Sequence, residues 1–313
     1  MKSTERCFSP RTAWNSQSAF TITELLAVLV VLSVLAMAMV PTRADSRAKA
    51  QSVRCLSNLR QVIGAVQMFT HDHQDLLPPN PDDGTRSPGY TWCVGQGGPG
   101  GGDEFNPDIL SDSARCLIAP YLGTNVSVFR CTADTRTGLY DGGALYPASP
   151  LIGTKVPAAR SISKSQAVGT VDPCFAGGGG HCGAPTLPVN GPWLAGSHGL
   201  NNATYGPYRT YGKTSQMVVP IPAELIVITE EEPYSINDAS VATSVNPSYP
   251  NWIDFPSTLH NNGGVVSFAD GHVELHKWVG TKLILFGPPF SRYAGASDPD
   301  WLWFTRRTSA RFR

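Results

Sequence analysis

The sequence predicts an α+β protein in which one long N-terminal helix is followed by a β-rich body with extended Gly/Pro-rich loops. Three observations carry this. An apolar run over residues 20–40 continues into apolar residues at helical spacing as far as Phe69, and Asp270-Gly271 separates two strand-like runs near the other end. The 313 residues also contain 31 Gly and 26 Pro, which implies frequent chain reversals. With 24 Lys+Arg against 24 Asp+Glu the formal charge is zero, so no global field draws in nucleic acid.

Residues 20–40 read FTITELLAVLVVLSVLAMAMV. At about 1.5 Å rise per residue, a helix of this length roughly spans a bilayer core. Lys2, Arg6 and Arg11 outweigh Glu5 in residues 1–19, so this leader is expected in the cytoplasm and the body across the membrane. Glu24 is the exception in the run. A carboxylate there costs about 2–3 kcal/mol near mid-membrane and less toward the edge, so it calls for a partner. A cut between Ala19 and Phe20 would supply one, because the new α-amino group lies at about the depth of Glu24 on a neighbouring subunit. Such pairing would set the axial stagger of packed helices.

SAFTITELLAVLVVLSVLAMAMVP resembles the N-terminus of type IV prepilins and type II secretion pseudopilins. In that resemblance Phe20 is the first, commonly N-methylated residue of the mature chain, and Glu24 is the glutamate at its fifth position. Pro41 stands where many type IV pilins carry a helix-kinking proline. The departure is Ala19, since the family peptidase usually cuts after Gly. Two other readings of the segment stand beside it: a secretory signal peptide cut after Ala36-Met37-Ala38 to release a chain starting at Met39, and an uncleaved anchor.

Residues 41–77 are expected to form an amphipathic stem helix. Val53, Leu56, Leu59, Ile63, Val66 and Phe69 fall on one stripe that the downstream strands would cover. Leu77-Pro78-Pro79 is expected to end it. RCLSNLRQVIGAVQMFTHDH resembles the stem helix of a bacterial subgroup of the same family. His71 and His73 flank Asp72, but residues two apart on a helix diverge, so a solvated helix end is expected there.

The body, residues 78–313, opens with glycine-rich stretches at 78–104 and 173–202, read as surface loops. Neither has the spacing of a phosphate-binding loop. Residues 116–121 and 126–131 look like short apolar elements, and FRCTAD resembles a Cys-containing turn of the subgroup. If Cys7 leaves with the leader, six cysteines remain, the even number that disulfide pairing needs. Cys174 and Cys182 enclose a loop containing His181, as a disulfide or as two metal ligands. No nucleophile-base motif, zinc-protease motif or EF-hand is present, so no enzyme activity and no cofactor are expected.

Residues 260–278 contain the second distinctive passage. Strands over 265–269 and 272–278 are expected to meet at a two-residue turn, Asp270-Gly271, in a tight hairpin. His272, Glu274 and His276 alternate with Val273 and Leu275. His260, followed after nine residues by Asp270-Gly271, matches the H-x9-DG signature of prepilin-type proteins of planctomycete and verrucomicrobial type. His260 is expected to fasten the loop before the hairpin by a hydrogen bond to it. His260, Asp270, His272, Glu274 and His276 are also a local collection of metal-ligand types, weighed against a solvated strand face and read as no metal site. The calcium loop found near the C-terminal end of major pseudopilins has no oxygen-rich counterpart here.

The resemblance implies a pilin-like fold and a single-pass inner-membrane protein whose body is periplasmic or extracellular. Its implied partners are a prepilin peptidase and other pilin or pseudopilin subunits, met through the N-terminal helix in a type IV pilus or type II secretion pseudopilus. The rival reading is a membrane-tethered or secreted binding domain, for sugar or cell-wall material, that uses the segment only for targeting.

Overall fold

The computed structural model describes residues 21–80, 91–143, 145–171, 187–199, 206–280, 283 and 293–312, with no side chains described at 37–45 and 187. Ala19, Phe20, Cys174 and Cys182 therefore lie outside the described residues. The chain divides into two units, Met1–Arg47 and Ala48–Arg313.

Helix α1, Ile22–Asp72, runs for 51 residues and continues through Pro41. In the first unit its apolar side chains from Ile22 to Leu35 are all exposed, Ile22 at 79% and Leu35 at 49%. Among the described residues no helix is long and apolar enough to cross a membrane. The expected membrane helix over 20–40 includes residue 20 and side chains 37–40, which are outside the description.

The second unit is built on a five-stranded sheet in the order β7-β3-β6-β8-β9. These strands are β3 Ile162–Ser165, β6 Ile226–Glu230, β7 Ser240–Val241, β8 Gly263–Phe268 and β9 Val273–Lys277. Neighbours pair antiparallel except β3 with β7, which is parallel, so the expected antiparallel sheet is mixed at one edge. Two small antiparallel pairs complete the strands: β1 Thr137–Leu139 with β2 Lys155–Pro157, and β4 Thr170–Val171 with β5 Leu187–Pro188. A short helix α2, Asp108–Ser111, precedes them, and α3, Pro299–Arg306, lies near the end of the described chain.

Strand alternation sends the two faces of this sheet into two apolar clusters. Val265 and Val273 face a cluster containing Cys55, Leu59, Val62, Ile63, Val66 and Phe69 of α1. Val266 and Phe268 face a second one with Trp252, Phe255, Trp278 and, from α3, Trp301 and Phe304. A register shift between Ile226 and Ile228 leaves Val227 as the extra residue, and Val227 and Ile228 both enter the first cluster. From Leu56 to Phe69 the stripe on α1 is thus covered, as its spacing implies, whereas Val53 at its start is 64% exposed and lies outside the cluster.

The helix ends at Asp72 instead of at Leu77. Gln74 and Asp75 adopt positive φ (56° and 69°), and the Asp75 N–H donates to the Thr70 carbonyl at 3.1 Å, a reversal that satisfies carbonyls of the last turn. At that end His73 stacks on Phe69 at 3.7 Å, and Tyr121 donates to Asp72. The 78–104 stretch is not all surface: Trp92 and Cys93 are fully buried, and Trp92 Nε1 donates to the Ala239 carbonyl. Residues 116–131 contain the 3-10 helices Ala119–Leu122 and Val126–Phe129.

The hairpin between β8 and β9 has a three-residue loop, not the two-residue turn expected. Phe268 N–H donates to His272 O, and Gly271 N–H donates to Phe268 O, both at 3.0 Å. Gly271 alone takes positive φ (94°), so this is a turn closed by a glycine bulge, and Asp270 stays in ordinary φ space. Asp270 Oδ1 instead accepts from His272 N–H at 3.0 Å.

In α3, Asp298 Oδ1 caps the helix by accepting from Asp300 and Trp301 N–H, while Trp301 is 1% exposed. Trp301→Ala is expected to lower unfolding free energy by about 3–5 kcal/mol, against about 1 kcal/mol for Asp298→Ala, read from denaturant midpoints. His276 stacks on Trp303 at 3.6 Å, and burial, helped by the Arg307 charge, lowers it from 6.5 to about 4. Its proton is therefore bound more weakly in the fold than in the unfolded chain. Its stabilising contribution is complete above 6.5 and is lost as pH falls toward 4. His276→Phe keeps an aromatic face on Trp303, and its Tm should fall less than wild type's on acidification through that window.

Candidate functional site

At the start of α1, Thr21-Ile22-Thr23-Glu24 forms a capping box. Glu24 N–H donates to Thr21 Oγ1 at 3.3 Å, while Glu24 Oε2 accepts from Thr21 N–H at 2.9 Å and Thr21 Oγ1 at 2.8 Å. Within one chain, the Glu24 carboxylate thus satisfies the Thr21 N–H, and Thr21 Oγ1 the Glu24 N–H. Both residues of the box follow the expected cut.

The second unit brings together a different set of side chains. Cys55 sits on the buried stripe of α1, Cys131 follows the 3-10 helix Val126–Phe129, Glu230 ends β6, and His260 precedes β8. Their potential ligand atoms all lie within 4.8 Å of one another. The two Sγ atoms are 3.4 Å apart, His260 Nε2 is 3.2 Å from Cys131 Sγ, and Glu230 Oε2 is 3.0 Å from the same nitrogen. All four residues are at most 3% exposed.

Local backbone geometry holds each group in place. The turn after Cys131 directs Thr132 N–H to Cys55 Sγ at 3.2 Å and Ala133 N–H to Cys131 Sγ at 3.4 Å. Val265 N–H of β8 donates to Glu230 Oε2 at 2.9 Å. Ser52 Oγ, one helical turn before Cys55, lies 3.2 Å from His260 Nδ1. Asn261 and Asn262 take positive φ (53° and 58°), and Lys277 Nζ donates to the carbonyls of His260 and Asn261. At Gly264 an added Cβ would lie 2.5 Å from the Ser257 carbonyl oxygen, so the chain can pass there only without a side chain. The asparagines and glycines after His260 let the loop double back tightly enough to aim the imidazole inward.

The electrostatics follow from this packing. The hydrogen bond with Cys131 pulls the Cys55 thiol down against the opposing effect of burial, and the same bond, with burial, pushes Cys131 up. Burial acts against the His260 imidazolium, but hydrogen bonds with Cys55 and Glu230 outweigh it and raise His260 to about 10. Burial raises Glu230, opposed by the bond to His260. A sulfur that gives up its proton readily thus faces an imidazole that holds one. Two sulfurs, one nitrogen and one carboxylate converging in a dry site could hold a cation.

The sequence expectations meet this geometry unevenly. His260 does fasten its loop to the hairpin, but through its backbone, its N–H donating to Gly263 O at 3.1 Å and its carbonyl accepting from Lys277 Nζ, while its side chain joins α1, the Cys131 loop and β6. Asp270 and His272 pair with each other on the surface, Asp270 Oδ1 2.6 Å from His272 Nδ1, and His276 stacks on Trp303, so the five candidate ligands of that passage do not converge. Gly271 serves the hairpin bulge. Cys55, Cys131 and Glu230 were not singled out as one site, because 76 residues separate the two cysteines and 129 separate Cys131 from His260. Two cysteine motifs and the HNNGG loop were the only traces of it.

Residues 14–40 match the prokaryotic N-terminal methylation motif. The matched segment contains Ala19, Phe20 and Glu24, and it supports a pilin-like or pseudopilin-like protein of membrane-anchored surface or periplasmic type. The motif implies, in general terms, processing by a prepilin peptidase and assembly with other pilins. No curated protein and no solved structure matches the chain.

Proposed function

We propose that the protein is a structural subunit cut between Ala19 and Phe20, held in the inner membrane by residues 20–40, and assembled through its N-terminal helix into a type IV pilus or type II secretion pseudopilus. The observation that carries this reading is the methylation motif over residues 14–40. The apolar side chains from Ile22 to Leu35 support it, because all are exposed on the single chain and require lipid or neighbouring helices as cover. Glu24 gives the helix its register: a carboxylate in that apolar stretch pairs with the new α-amino group of an adjacent subunit. The body then lies on the periplasmic or outer side. The role is mechanical, and no residue is assigned a catalytic part.

The mature N-terminus read by mass spectrometry is expected to be Phe20, methylated on its α-amino group. A chain beginning at Met39 would overturn the proposal. Glu24→Ala should leave membrane insertion intact and reduce subunit recovery in sheared filaments about ten-fold or more, the loss of a partly desolvated ion pair. Unchanged filament recovery would favour a membrane-tethered binding domain instead.

A further inference from the structure

We propose that Cys55, Cys131, Glu230 and His260 form a structural binding site for one Zn2+. Tetrahedral zinc, with ligand bonds of about 2.0–2.3 Å, sets its ligand atoms about 3.3–3.8 Å apart. The contacts already present run from 3.0 to 3.4 Å, and no pair of the ligand atoms exceeds 4.8 Å. Small side-chain shifts suffice to receive the ion.

Donor chemistry selects the metal. Two thiolates, an imidazole and a carboxylate suit zinc, whereas calcium and magnesium call for oxygen shells. The surrounding hydrogen bonds suit deprotonated ligands: backbone N–H groups point at both sulfurs and at the carboxylate. Ser52 at Nδ1 can hold the His260 tautomer whose Nε2 lone pair faces the centre. Binding forms four metal–ligand bonds and releases to solvent the Cys131 thiol proton and the one proton that Cys55 and His260 share. Two thiolates and one carboxylate leave one net negative charge on the filled site, spread over groups that already accept N–H bonds.

Burial separates a structural role from a catalytic one. All four ligands are closed off from solvent, so no position is left for water or substrate. The alternative for the same sulfurs is a disulfide, which needs them about 2.0 Å apart, against 3.4 Å here. Forming it would remove two of the four ligands. Cys93 and Cys116 are a second buried, interacting pair, yet among the described residues only the Cys55 set gathers three or more ligand types. The site joins α1, the Cys131 loop, β6 and the His260 loop.

The test uses the full chain purified in detergent without chelator. Elemental analysis should find one zinc per chain, and Co2+ exchange should give a thiolate-to-cobalt charge-transfer band with tetrahedral d–d bands. Cys55→Ser and His260→Ala should lose metal and band, Cys93→Ser should keep both, and Ser52→Ala should bind about ten-fold or more weakly. The proposal is overturned if wild type, reduced and supplied with zinc, takes up none. It is equally overturned if the Cys55→Ser/Cys131→Ser double variant retains the ion, or if peptide mapping of untreated protein finds a Cys55–Cys131 disulfide. Should the ligand variants fail to fold, the wild-type cobalt spectrum and Cys93→Ser still decide: no charge-transfer band in either rejects the site.

Discussion

The larger unit is organised by the seam between the later turns of α1 and one face of the five-stranded sheet. Leu59, Val62, Ile63 and Val66 form a helical stripe that has no cover until Val227, Ile228, Val265 and Val273 close over it. The remaining elements are placed by that contact. The bulge in β6 turns two consecutive apolar residues to the helix side, and the opposite face is left for the tryptophans around α3. At the Cys55 end of the stripe the seam is polar: thiols, an imidazole and a carboxylate meet where an aliphatic core could have continued. Buried polar groups are costly unless mutually satisfied, so a cluster this well partnered fixes how the helix and sheet register, beyond what hydrophobic contact requires.

Much of this arrangement was legible in the sequence because it rests on local periodicity. The apolar stripe of α1 and the alternation in β8 and β9 each follow from one short window. The hairpin loop was read one residue short because Asp270-Gly271 suits both a two-residue turn and a three-residue loop with a glycine bulge, and the strand register decides between them. Helix α3 was missed although Asp298-Pro299 is a good start signal, an N-cap acid followed by a proline at the first helical position. Its aromatic residues are buried only by a sheet face that no short window of sequence contains. Trp92, inside a loop-like composition, is buried for a similarly non-local reason.

The cluster was illegible for a physical reason. Metal-ligand motifs are recognisable when two ligands share a turn or a helix face, but here each ligand comes from a different segment. Only the pairing of β6 with β8 brings Glu230 near His260, and only helix packing brings Cys55 to both. The conspicuous local group at His272, Glu274 and His276 disperses, because strand alternation constrains direction without making ligand atoms converge on a point. His272 turns to Asp270 and His276 to Trp303.

The capping box at the start of α1 bears on how copies of such a chain would meet. A free glutamate side chain samples many rotamers, and ordering it on contact would cost conformational entropy. Thr21 has already confined the Glu24 carboxylate. Replacing Thr21 would leave the charge and the apolar surface as they are, and would act on the growth rate of an assembly by returning to each incoming copy a freedom it must then lose.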